Sequence, residues 1–436
     1  MMLRRKRSAP RIVAGLFFAL VVGVIGLYHG RAIAQKAEAP APGDWVAEIE
    51  KIFIRSEDCK QCHERHYEEW KGVREQTPDL KTFGRVDAAL LHGTSLESPV
   101  FRTVLGVWLQ TDPTTDERRR CLSCHAPSTT VFPQYADKIV AQVLSGKPQV
   151  EGIGCASCHL IKQVEQTSNS PPSFKIDPGK MIYGPYADPE ENLVHPATQS
   201  ALFRGANYCA SCHFDKVKDV TQKDLAGEIL QGTICQDCHM EPSTGSSISK
   251  RGAMTRAIGR HWFRGVVVPG TLIKNRNLQA EWMPRVDLET TTSASAVEGT
   301  ALVRIGSLPH SFPDGDPVLK QFYLVLTAKD AQGMVLKEET KQFGLPYDKI
   351  LRGPIPDPFI KGGHTRKVPF SLAIPSGSTA VSIEAVLNYA LIPTPEPALK
   401  EKYLATLTTD KERESAKRIF DEYTQPRLLT YRAKTL

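Results

Sequence analysis

A chain of 436 residues exceeds what one ordinary core organises and predicts more than one folded region. Its net charge of +7 belongs mainly to the N-terminus: residues 1–34 hold six basic residues and no acid, which leaves 49 basic against 48 acidic residues beyond them. No basic tract suited to nucleic acid remains, so nucleic acid is not an expected partner.

Arg4, Arg5, Lys6, Arg7 and Arg11 precede an apolar run over residues 12–28, and the small-residue triplet Ala32-Ile33-Ala34 follows. That order predicts a secretory signal over residues 1–34, cleaved after Ala34, and hence a periplasmic protein. The alternative is an uncleaved anchor, for which the run is slightly short; only in that case does a membrane become a partner. Residues 35–47 contain Ala-Pro repeats and read as an extended linker. A helix is expected from Trp45 into the next segment, with helical character again over residues 63–70.

Between Cys59 and His239 one pattern, Cys-x-x-Cys-His, occurs five times and uses every cysteine of the chain. The copies are Cys59, Cys62 and His63; Cys121, Cys124 and His125; Cys155, Cys158 and His159; Cys209, Cys212 and His213; and Cys235, Cys238 and His239. Each reads as an attachment site for haem c. Two thiols three residues apart share one side of a helical turn, where they can form thioethers along one edge of a porphyrin. The adjoining histidine then supplies an axial nitrogen to the iron. Five disulfides or paired zinc sites are the rival uses of ten cysteines, and neither requires a histidine directly after the second thiol. Five covalently bound haem groups are therefore expected.

First cysteines of successive copies are 62, 34, 54 and 26 residues apart. Segments this short cannot each bury a core, so the cofactors themselves are expected to form it, wrapped by short helices and loops. Residues 136–144 and 224–230 read as helices, whereas 167–189 and 243–249 read as loops. Beyond about Val266 the pattern changes to strands. Residues 322–327 and 334–337 flank a turn at 330–333, and two more strands are expected over 368–374 and 381–391. A single helix is expected over 399–423. The fold class is therefore α+β: a mostly helical, haem-packed domain over residues 48–265, a β-sandwich-like domain over 266–395, and a helical tail over 396–436.

A second axial ligand decides whether an iron only carries electrons or can also bind substrate. Outside the motifs and the leader, the chain offers His66, His92, His195, His261, His310 and His364. His66 lies three residues beyond His63, on the same helical side, so it can serve only a neighbouring haem. His364, in Gly362-Gly363-His364-Thr365, reads as a turn residue. Met181, Met240, Met254 and Met283 read as packing residues.

Several stretches resemble the multihaem cytochromes c of the c-552/c-554 family, related to the tetrahaem electron acceptor of hydroxylamine oxidoreductase. They are Cys59-x-x-Cys62-His63-x-x-x-Tyr67-x-x-Trp70, the run from His92 to Phe101, Cys121 to Pro127, His195 ahead of Tyr208 to His213, and His261 to Gly265. Members with an added C-terminal β domain show a pattern similar to His310-Ser311-Phe312-Pro313-Asp314-Gly315-Asp316. The resemblance implies that His92, His195, His261 and His310 are distal ligands, with His66 the further candidate. One departure stands out: Glu75 occupies the place of the family's histidine after the tryptophan, and His92 follows Trp70 by 22 residues, as an insertion would produce.

The expected function is electron transfer between redox partner proteins through a chain of mostly bis-histidine haems. Two alternatives compete with it. One is an oxidoreductase in which a single open iron acts on a small nitrogen or sulfur compound; no Cys-x-x-Cys-Lys site of the ammonia-forming pentahaem nitrite reductase type is present. The other is a filament subunit.

Overall fold

The computed structural model describes residues 44–71, 92–167, 170–179, 181–189, 194–213, 235–240, 242–250, 252–261, 263, 284–306, 321–344, 346–349, 360 and 362–436. The leader, most of the linker, the 265/266 boundary, the helix expected over 224–230, Met283 and His310 all lie outside those residues. Helix and strand occupy largely separate stretches, so the class is α+β.

Short helices carry the motifs. Helix α1 spans Trp45–Glu50, with Asp44 accepting from the backbone N–H groups of Val46 and Ala47. Helix α2, Ser56–Lys71, has Glu57 and Asp58 in its first turn and Lys71 in its last, which suits the helix dipole. It is broken at His63, where φ is −113° and ψ is 41°, so the segment is two helical pieces meeting at the motif histidine. Helix α3, Pro99–Leu109, is capped by the Ser98 side chain and starts on proline; its apolar sequence is buried from Val104 to Trp108. A capping box between Thr114 and Glu117 starts helix α4, Thr115–His125, which ends on the second motif. Helix α5, Ala136–Leu144, buries Ile139, Val140 and Val143 on one side, as its sequence period predicts.

Helix α6, Cys155–His159, is the third motif itself. Strands β1, Ile161–Thr167, and β2, Ser170–Ile176, then pair antiparallel, and β3, Ile182–Gly184, pairs parallel with β4, Ala197–Gln199. The loop expected over 167–189 is therefore partly sheet. Helix α7, Ala206–Ala210, opens the fourth motif and helix α8, Cys235–His239, is the fifth. Strands β5, Pro242–Gly245, and β6, Arg256–Gly259, form a hairpin where residues 243–249 read as a loop. In both places a hydrogen-bonded strand partner, as near as Thr167↔Ser170 in the first, overrides Pro, Gly and Ser.

The remaining strands are β7, Arg285–Thr292; β8, Ala296–Arg304; β9, Gln321–Lys329; β10, Val335–Phe343; β11, Thr365–Ala373; and β12, Ser382–Ala390. The tail then forms two helices, α9, Pro397–Thr406, and α10, Asp410–Tyr423, before strand β13, Arg427–Thr435. Two antiparallel sheets result, ordered β10-β9-β12-β13 and β11-β8-β7. Period-two alternation buries Phe322, Leu324, Leu326 and Ala328 on β9, and Ile383, Ala385 and Leu387 on β12. The other sheet buries Val297, Ala301 and Val303 on β8 and Val368, Phe370 and Leu372 on β11. The sheets meet where β13 lies beside β7 and β10 beside β11.

The expected single helix over 399–423 is thus corrected to two, and the tail is not wholly helical. Leu407 is extended, and a new capping box at Thr409 and Glu412 restarts the chain as α10. Contacts divide the chain after Glu48, and Ile49–Leu436 holds both the motif helices and the two sheets. Tyr403 of α9 lies against Gly106 of α3, where a Cβ would meet the ring at 2.1 Å, so only glycine admits this approach.

Candidate haem centres

The histidine that ends each motif needs a second ligand across an iron, and the structure supplies facing rings. Two imidazoles on opposite sides of one metal, each bonded at about 2 Å, have ring centres about 6 Å apart. His63 and His195 have ring centres 6.3 Å apart with planes 29° from parallel. His159 and His261 are 6.4 Å apart at 15°. His92 and His213 are 6.0 Å apart at 65°. Each pair joins one motif histidine to one histidine outside the motifs, and each leaves space for one metal.

Backbone carbonyls fix the rings. His63 Nδ1 donates to Ser247 O at 2.6 Å, His159 Nδ1 to Tyr183 O at 2.7 Å and His261 Nδ1 to Gly259 O at 3.0 Å. A carbonyl only accepts, so the hydrogen sits on Nδ1 and the lone pair of Nε2 is left for a metal. Burial lowers the pKa of His63 and His159 and takes that of His261 well below the ordinary value. Neutral imidazole is the metal-binding form. The donor set therefore fits iron held by two histidines in three of the five sites. His239 ends α8, and His310, an expected distal ligand, lies outside the described residues.

His125 differs. Burial pushes its pKa down to about 4, and its buried Nδ1 has no hydrogen-bond partner among the described residues. The ring stacked on it is Phe101 of α3, with centres 4.2 Å apart at 15°. His66 also departs from the pairing. It stands edge-on to His261 with centres 4.5 Å apart, too close for a metal between them; its 6.3 Å separation from His63 at 66° resembles that of the pairs, but the two lie three residues apart on one helix and His63 is already paired with His195. His364 is exposed and its carbonyl accepts from Ile305 N at 3.0 Å, as suits a residue entering β11.

The motifs come together out of sequence order. None of the nine described cysteines forms a disulfide. The Cys59 thiol meets that of Cys155, which pushes Cys59 up. The Cys212 thiol meets that of Cys124 and is likewise raised, with burial adding to the effect. Burial raises Cys158 to about 11, and its sulfur is met by the buried hydroxyl of Tyr208, which also lies near Cys209 and Cys212. The attachment edges therefore adjoin in the order first, third, fourth, second.

Polar contacts hold this arrangement. Ser56 Oγ donates to Glu151 Oε2 at 2.7 Å and accepts from Cys155 N at 2.8 Å, tying the start of α2 to α6. Trp70 Nε1 donates to Ile153 O at 2.8 Å. A Cβ on Gly93 would lie 2.6 Å from Trp70 O, so the chain returns to Trp70 directly beside His92. That contact fits an insertion between Trp70 and His92. Gln236 Nε2 of α8 donates to Phe203 O and Gly205 O at 3.3 and 3.0 Å, holding the fifth motif to the start of α7.

Sequence reading did not single out Phe101, Tyr208 or Glu69 as parts of these centres. Tyr208 directly precedes Cys209, and Glu69 lies between Tyr67 and Trp70, so adjacency to the motifs was the available signal.

The family model described as cytochrome c554 and c-prime matches residues 58–160, which contain the first three motifs. Among solved structures, the fold is similar to the penta-heme cytochrome c552 from Thermochromatium tepidum, with a TM-score of 0.52 and 20% identity. That likeness covers 88% of this chain and 100% of the other. No curated protein matches. Residues 58–160 are thus similar to that cytochrome family, and the fold of the chain is similar to that of a penta-heme cytochrome c552.

Proposed function

We propose that this protein is a periplasmic pentahaem cytochrome that passes electrons between redox partner proteins, cleaved from its leader after Ala34. The observation that carries the reading is the set of three facing histidine pairs, each uniting a motif with a histidine far from it in sequence. When bound, haem supplies one-electron redox chemistry, and two histidine ligands favour a lower potential than a histidine and a methionine. In each pair two residues of this chain would hold the iron, which would leave no position there for a substrate. Backbone carbonyls favour one tautomer of His63, His159 and His261, with the hydrogen on Nδ1. Adjoining attachment edges, from Cys59 through Cys155, Cys158 and Cys212 to Cys124, define one route through the protein. The β region and the helices α9 and α10 cover α3, with Lys402 Nζ donating to Gln110 O at 3.2 Å.

Intact mass and a pyridine haemochrome assay test the count: five haems on a chain beginning at Gln35 are expected. A chain with disulfides and no haem ends the reading, and a retained N-terminus replaces the soluble form with an anchored one. Electron paramagnetic resonance of His195→Ala tests the pairing, since one low-spin haem should become high-spin.

A second reading is favoured at one place only. His125 is stacked by Phe101 rather than faced by a histidine among the described residues. This is where a single iron with an open position would bind a small nitrogen or sulfur compound.

A further inference from the structure

Glu69 is buried, with 3% of its surface exposed, on the same helix as the first motif. Its Oε1 accepts from Arg65 Nε at 3.0 Å and lies 2.6 Å from Arg260 Nε. Its Oε2 accepts the backbone N–H of His261 at 2.8 Å. Arg65 reaches on to β5, where Nη2 donates to Ser243 Oγ at 3.2 Å. A buried carboxylate is unfavourable unless charges and donors surround it, and here two guanidiniums and one amide do so. The amide among them belongs to a residue that faces a motif histidine.

His261 needs such a hold. Among the described residues its ring is hydrogen-bonded to Gly259 O, two residues back on the same chain. Two residues on, Phe263 has φ of +46°, a left-handed conformation that a bulky side chain adopts only when its surroundings impose it. The carboxylate fixes the backbone of this turn to α2, 192 residues earlier in sequence. His66, one helical turn before Glu69, packs edge-on against the same imidazole. Helix α2 thus meets His261 at both its backbone and its ring.

We propose that Glu69 is the positioning residue for the distal ligand of the third haem, and that its charge helps set the potential of that haem. The inference rests on the reading of His159 and His261 as a ligand pair. An oxidised haem carries one more positive charge than a reduced one, so a nearby carboxylate favours oxidation.

The test uses the full-length holoprotein with three variants, followed by electron paramagnetic resonance and potentiometric titration. His261→Ala should turn one low-spin haem high-spin, which establishes the ligand reading independently. Glu69→Gln keeps the side-chain volume but removes the charge. It should alter the g-values of one low-spin haem and raise its potential enough to change its oxidised-to-reduced ratio about tenfold at fixed potential, equivalent to about 59 mV for a one-electron couple. Glu69→Asp restores the charge on a shorter arm, so its potential should return toward the native value while the g-values stay altered. If Glu69→Gln does not accumulate, altered g-values in Glu69→Asp carry the test, and unaltered ones overturn the proposal. Should His261→Ala become high-spin while Glu69→Gln keeps native g-values and potential, Glu69 is only a structural ion-pair partner and the proposal is wrong. All-low-spin His261→Ala would sink the ligand pair and the proposal with it.

Discussion

Acidification should destabilise this protein through His66, and the size of the effect follows from its surroundings. Burial, the largest cause, together with nearby His63, His159 and Arg65, pushes the His66 pKa down to about 4. In the unfolded chain the same group takes up a proton near its ordinary value of 6.5. Between these values the unfolded state binds more protons than the folded state, so stability rises with pH across the window and is lost as pH falls through it. At about 1.4 kcal/mol for each tenfold change, the window is worth about 3 kcal/mol, fully present above pH 6.5 and gone below about pH 4. His66→Gln, uncharged at every pH, removes that contribution. Urea midpoints of the native protein and the variant at pH 7.5 and 4.5 measure it: the native protein should lose more stability than the variant by about 2–3 kcal/mol. Equal losses would show that His66 is neutral in neither state or in both, and the reasoning would fail. A variant that becomes high-spin would instead make His66 an iron ligand, contrary to its edge-on contact with His261.

Reduced holoprotein should bind at most one carbon monoxide, with a Soret shift for that haem alone, and Phe101→Ala should speed its entry without raising the stoichiometry. Binding at several haems would refute the histidine pairs, whereas complete inertness would require a ligand opposite His125. Tyr403→Ala should lower the urea midpoint by the equivalent of about 3–5 kcal/mol, because a ring with 2% exposure is lost from its seat against Gly106. The haem spectrum of that variant should stay native, since Tyr403 touches no motif. The haem count and His195→Ala outcomes given above complete the set.

What the sequence made legible was whatever repeats locally. Five Cys-x-x-Cys-His copies identify themselves within five residues each, and the strands of the β region follow from alternation such as Ile383, Ala385 and Leu387. The two stretches read as loops, 167–189 and 243–249, proved partly strand for the opposite reason. β5 pairs with β6 through Pro242↔Gly259 and Gly245↔Arg256, a register set by a partner that composition does not reveal. The single tail helix failed on three residues: extended Leu407 and the Thr409 capping box interrupt an apolar period that otherwise continues.

The centres divide along the same line. Candidate ligands could be counted, but which histidine faces which motif depends on chain reversals of many residues, as when His63 meets His195 and His159 meets His261. Second contacts were less legible still, because three of them end on backbone carbonyls at Ser247, Tyr183 and Gly259, which every residue possesses. Glu69 shows why this matters for function. One carboxylate in α2 holds Arg65 four residues before it and the amide of His261 far beyond it, which ties the helix of the first motif to the histidine proposed for the third site. A protein whose core is built from cofactors gains rigidity at its ligands from such cross-connections rather than from each short helix, and the low reorganisation that electron transfer requires is then a property of the assembled contacts.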